Sequence, residues 1–102
     1  MDIHLRGTIY VKRHYNNPRQ MIEEAVHALL DDMESERNFG EPLLFRTVFS
    51  AIEELPCVSF VYEMTLQSDD RELATVRDTD IYPRADVLCR TGNIALELVA
   101  YE

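Results

Sequence analysis

Residues 17–33 read NPRQMIEEAVHALLDDM, and residues 42–56 read PLLFRTVFSAIEELP. In the first stretch Met21, Ile22, Ala25, Val26, Leu29, Leu30 and Met33 recur at i, i+1, i+4, i+5, i+8, i+9 and i+12. That spacing lines one face of an α-helix. Glu23, Glu24, His27, Asp31, Asp32 and Glu34 fall on the opposite side. Asn17 suits the N-cap, Pro18 the first helical position, and Gln20 the capping-box position. The spacing predicts a helix running to about residue 35. In the second stretch Leu44, Val48, Ala51, Ile52 and Leu55 form another stripe, with Phe45 and Phe49 beside it. Pro42 can open this helix and Pro56 ends it. Between the two, residues 35–42 carry Gly40 and Pro42 and read as a turn. Two amphipathic helices therefore follow one another with no strand between them.

Strands bracket this pair. Residues 3–12 alternate, with Ile3, Leu5, Gly7, Ile9 and Val11 on one side and His4, Arg6, Thr8, Tyr10 and Lys12 on the other. A period of two means a strand with one buried face. Gly7 marks a bulge or the close approach of a helix. Residues 58–67 alternate as well: Val58, Phe60, Tyr62, Met64 and Leu66 against Ser59, Val61, Glu63, Thr65 and Gln67. Leu73 to Val76 and Val87 to Cys89 each suit a short strand. Ile94 to Tyr101 suits a longer one after the Thr91-Gly92-Asn93 turn, with Ile94, Leu96, Leu98 and Ala100 facing one way.

An amphipathic helix must bury its stripe, and each strand brings an apolar face to meet it. The expected fold is α+β, a two-layer sandwich of order β-α-α-β-β(-β). Both helices pack on one face of a mostly antiparallel sheet, in a single domain spanning 1–102. The other sheet face then carries Tyr10, Val61, Val99 and Tyr101 among polar residues. Tyrosine combines a large contact area with a polar tip, which suits an interface. These four residues are the candidate protein-binding surface; the alternative is an ordinary solvated face.

Composition narrows the function classes. The chain has 19 acidic and 10 basic residues and a net charge of −9. Such a field repels phosphate backbones and anionic membrane surfaces, so neither nucleic acid nor membrane is an expected partner. Apolar content of 46% fits a folded domain. No apolar run approaches a membrane span, and no basic segment followed by an apolar core opens the chain, so no secretory signal is expected. Cys57 and Cys89 read as small buried hydrophobes of a reducing compartment; a disulfide between them is the less supported alternative, since two cysteines make no framework.

Little in the chain looks like chemistry. His4, His14 and His27 show no i, i+4 pair, and no Cys-x-x-Cys occurs, so no metal is expected. The pairs Glu23–Glu24, Asp31–Asp32, Glu53–Glu54 and Asp69–Asp70 fall on solvated helix faces or in a turn. Three isolated glycines, Gly7, Gly40 and Gly92, make no phosphate cradle, and no serine sits in a nucleophile elbow. The expectation is a non-catalytic protein without cofactor.

The order of elements and several segments resemble the C-terminal domain of baseplate J-like proteins, wedge components of contractile phage tails and related injection machines. The segments are Ile3 to Val11, the helix Met21 to Leu30, Phe39-Gly40-Glu41-Pro42-Leu43-Leu44, and above all Ile52-Glu53-Glu54-Leu55-Pro56-Cys57-Val58-Ser59-Phe60-Val61. Members of that family end a helix in a Pro or Gly turn and open the next strand with V-x-x-V. They finish with a Gly-containing turn and an alternating strand, as Thr91 to Val99 does. Cys57 stands where they often carry glycine. The resemblance implies a structural role, as a domain of a longer wedge protein or as a short relative of one. It implies other baseplate or tail subunits, or further copies of the chain, as partners. The chain would be made in the cytoplasm and end in a virion tail or tail-like particle. Two other readings compete: a small-molecule-binding regulatory module of the ferredoxin-like kind, which usually separates its helices with strands, and a small hydrolase or isomerase using carboxylates with His14 or His27.

Overall fold

A computed structural model describes residues 2–35, 40–68, 74–77 and 80–101 of the chain. Its elements run β1 (Asp2–Val11), α1 (Pro18–Ser35), α2 (Phe45–Glu53), β2 (Val58–Ser68), β3 (Ala74–Arg77), β4 (Asp80–Pro83) and β5 (Arg90–Ala100). The fold is α+β, with both helices on one face of a three-stranded sheet ordered β2-β1-β5. β1 is the central strand, antiparallel to β2 and parallel to β5. β3 and β4 form a separate antiparallel hairpin.

The core follows the predicted stripes. Ile3, Leu5 and Ile9 of β1 are at most 1% exposed, as are Ile22, Val26 and Leu30 of α1 and Val48 and Ile52 of α2. Leu96 joins them from β5, Met64 and Leu66 from β2. Ile22, Val26 and Leu30 recur every four residues, so one face of α1 suffices to cover the sheet. The side chain of Met33 and the residues 36–39, 69–73 and 78–79 lie outside what is described, among them Asp69, Asp70 and Leu73.

Local chemistry sets the helix ends in ways the sequence only half shows. At α1, Met21 N–H donates to the Asn17 carbonyl at 3.2 Å, so the helix does begin at Pro18. Gln20 does not reach back toward Asn17; its Nε2 donates to Glu24 Oε1 at 3.0 Å, one turn along. At α2, Pro42 stands outside the helix. The N-cap is Leu44, whose side chain cannot accept a hydrogen bond. Asp80 of β4 does so from 35 residues away: Phe45 N–H donates to its Oδ1 at 2.7 Å. A carboxylate there also meets the positive end of the helix dipole. Beside this contact Leu43 and Ile81 exchange two backbone hydrogen bonds of 2.8 and 2.9 Å. Ile81 itself is fully buried. The hairpin is thereby tied to the entry of α2.

Three expectations about the strands need correction. Thr91-Gly92-Asn93, expected as a turn, lies within β5. Val87 to Cys89 is not a strand. Gly40 N–H donates to the Val87 carbonyl at 2.9 Å, so this segment closes the loop ahead of α2. Gly40 has φ +73°, and an added Cβ would lie 2.7 Å from Ala85 Cα. Gly7, for its part, faces a strand and not a helix. It pairs with Met64, and a Cβ there would collide with the Glu63 carbonyl oxygen and lie 2.8 Å from Met64 Cα.

Two stability outcomes follow. Asp80→Ala removes the only side-chain acceptor described at the α2 N-terminus and is expected to cost about 1 kcal/mol in urea unfolding. Gly7→Ala pushes a methyl group into backbone that cannot rotate away and is expected to cost about 2 kcal/mol, read by the same titration.

Candidate functional site: the outer face of the sheet

The face of the sheet turned away from the helices is organised by the pairing of β1 with its two neighbours. Between Thr8 and Ile9, and again between Tyr10 and Val11, the register of β2 shifts. Thr8 pairs with Glu63 and Ile9 with Val61, which leaves Tyr62 extra; Tyr10 pairs with Phe60 and Val11 with Val58, which leaves Ser59 extra. Each extra residue is a β-bulge, and each reverses the in–out phase of the strand. Between the two bulges β2 therefore shows the opposite face from the one its alternation predicts.

The consequence is a correction to the candidate surface. Val61 was expected on the outer face; it stands opposite buried Ile9 and packs against the core. Phe60 and Tyr62 were expected in the core; they are 37% and 65% exposed. The other three candidates do lie on the outer face. Val99 pairs with Tyr10 across β1 and β5, and Tyr101 N–H donates to the Val11 carbonyl at 2.7 Å, which holds Tyr101 at the end of the sheet.

These placements bring three rings together around Tyr10. Phe60 stacks on it with centroids 4.6 Å apart and planes 25° apart. Tyr62 is tilted at 5.8 Å, and Tyr101 meets it edge-on at 5.7 Å. Phe60 and Tyr101 also touch edge-to-face, at 5.5 Å and 81°. Offset stacking and edge-to-face contact are the arrangements that the ring quadrupole favours, each adding about 0.5–1.5 kcal/mol beyond area. The cluster is self-supporting, yet Tyr62, Tyr101 and Phe60 still present large surfaces to solvent. Phe60 and Tyr62 were missed because a strict period of two was imposed on β2. One signal was available: that period buries the Tyr62 hydroxyl, which then demands a partner in the core.

Along the sheet the aromatic rows give way to polar ones. Glu63, Thr8 and Glu97 form the next row across the three strands. Thr8 Oγ1 donates to Glu63 Oε1 at 3.5 Å. Thr65, Arg6 and Ala95 follow, and Arg6, Gly7, Glu63, Met64 and Thr65 line a half-open depression. At the far end Asn93 N–H donates to His4 Nδ1 at 2.8 Å. On the outer edge of β5, Arg19 Nη2 from α1 donates to the Leu96 carbonyl at 2.9 Å, occupying part of a backbone ladder that would otherwise invite another strand.

The residues considered for catalysis or metal binding are not gathered here. His14 and His27 are exposed, His14 against Tyr15 at 4.6 Å. Glu24, Asp31, Asp32, Glu53 and Glu54 are exposed on the helices or just beyond α2. Among the described residues no group of three or more His, Cys, Asp or Glu side chains could hold a metal ion. No helix among them is long and apolar enough to cross a membrane. Cys57 and Cys89 are both buried and free, and burial pushes both thiols above their ordinary value, most of all by desolvating the thiolate. No known protein family matches the chain, and no characterised protein resembles it closely enough to count as a relative.

The thiols give a signed pH dependence. A group whose folded value is raised contributes stability that is intact below its unfolded value, 9.0 here, and that is lost as pH rises through the folded one. Stability by urea unfolding is expected to fall as pH rises from about 9 upward. The Cys57→Ala/Cys89→Ala double variant should be less stable at pH 7 but show a shallower fall over that range.

Proposed function

We propose that this chain is a structural assembly domain, and that its outer sheet face is the surface by which it docks on another protein. The observation that carries the reading is the exposed cluster of Tyr10, Phe60, Tyr62 and Tyr101, with Val99 beside it. Aromatic residues are enriched at the buried centres of protein interfaces and supply much of their energy. The rings already hold one another in place, so less side-chain entropy is lost when they are covered. The resemblance of the sequence to baseplate J-like wedge domains gives the reading a setting. In it the partner is a neighbouring subunit of a contractile tail or injection-system baseplate, and the chain performs no catalysis.

The test is co-expression with the proteins encoded beside it, followed by size-exclusion chromatography. A stoichiometric complex is expected, and Tyr62→Glu with Tyr101→Glu should dissolve it while the thermal midpoint stays within a few degrees of the parent. Both side chains are already partly in solvent, so the substitutions spare the core. A complex that survives the double variant, or a chain that stays monomeric beside all its neighbours, would overturn the proposal.

A further inference from the structure

The chemistry of the partner can be taken one step further, on the reading that the outer face is a docking surface. Glu63 and Glu97 flank Thr8 in the row next to the ring cluster. They sit on the two outer strands, with β1 between them, so their backbones are roughly 10 Å apart. Both are exposed, and among the described residues neither takes part in an ion pair; the ion pairs there are Arg84–Asp86 and Arg90–Asp2. The face thus couples π surfaces to two carboxylates that form no ion pair among the described residues, with Arg6 in the row beyond them, in a chain of net charge −9.

We infer that this face receives an arginine-bearing segment of the partner protein, whose guanidinium groups lie on the rings around Tyr10 while pairing with Glu63 and Glu97. A planar guanidinium can stack on an aromatic ring and still offer its edge to a carboxylate. A lysine ammonium is a compact, strongly hydrated charge and cannot do both as well. A second copy of this chain is the poorer occupant. A two-fold contact through this face sets two chains of net charge −9 patch to patch. Nucleic acid could stack on the rings, but its phosphates would meet the same carboxylates.

The experiment uses the full chain, labelled with nitrogen-15, at low salt. It is titrated with a blocked hexapeptide of alternating glycine and arginine, then with its lysine counterpart. Saturable amide shifts centred on Tyr10, Phe60, Tyr62, Glu63, Glu97 and Tyr101 are expected. The arginine peptide should bind about threefold tighter than the lysine peptide. Glu63→Gln with Glu97→Gln should weaken both peptides by about threefold or more, and Tyr62→Leu should erase the preference for arginine. Shifts centred on Asp31 and Asp32 of α1, equal affinity for both peptides, absence of binding, or dimerisation of the free chain through the ring cluster would each overturn the inference. If the arginine peptide fails here while Tyr62→Glu with Tyr101→Glu still dissolves the complex with a neighbour, only the partner chemistry is wrong. If both fail, the docking surface itself is misassigned.

Discussion

β1 is hydrogen-bonded on both edges, antiparallel to β2 and parallel to β5, and that double pairing is what the remaining architecture rests on. A strand in this position has no free backbone groups to satisfy elsewhere, so its register fixes both neighbours. Its inward residues Ile3, Leu5 and Ile9 make the floor on which α1 and α2 lie. Its outward residue Tyr10 becomes the hub of the ring cluster. Gly7 belongs to the same constraint, because the backbone of β2 passes where a side chain would stand.

The two bulges in β2 divide the labour between the faces. Val58 and Val61 both point to the core although they are three residues apart, and Met64 does so after three more. A regular strand would have buried Phe60 and Tyr62 in their place. Exposing two aromatic residues forfeits a few kcal/mol of transfer energy, which ring–ring contact with Tyr10 and Tyr101 only partly offsets. Covering them with another protein would recover the rest, and that difference is the energetic sense of the docking proposal. Bulges are common where a strand must re-aim a side chain for function.

The β3–β4 hairpin shows how a small fold closes its margins. α2 has nine residues, too few to be stable alone. It is anchored at its start by Asp80, at its side by the sheet, and next to Leu43 by the paired backbone of Ile81. α1 is anchored differently, through Arg19 to the edge of β5. Each helix thus holds a different margin of the sheet.

Periodicity carried most of the fold in the sequence itself. The four-residue recurrence of Ile22, Val26 and Leu30, the alternation of Ile3, Leu5 and Ile9, and the punctuation by Pro18 and Pro56 dictated two adjacent helices over one sheet. They do so because 3.6 and 2 are local geometric periods that each segment expresses without its neighbours. Tyr10, Val99 and Tyr101 were legible on the outer face for the same reason. The place of Val61, Phe60 and Tyr62 was not, because a bulge exists only between two paired strands and leaves no spacing rule in either one. Nor was the capping of α2 by Asp80, a contact between residues 35 apart. Local period determined the two helices and the three strands of the main sheet; pairing across that sheet alone decided which of their side chains the core keeps and which are left to meet a partner.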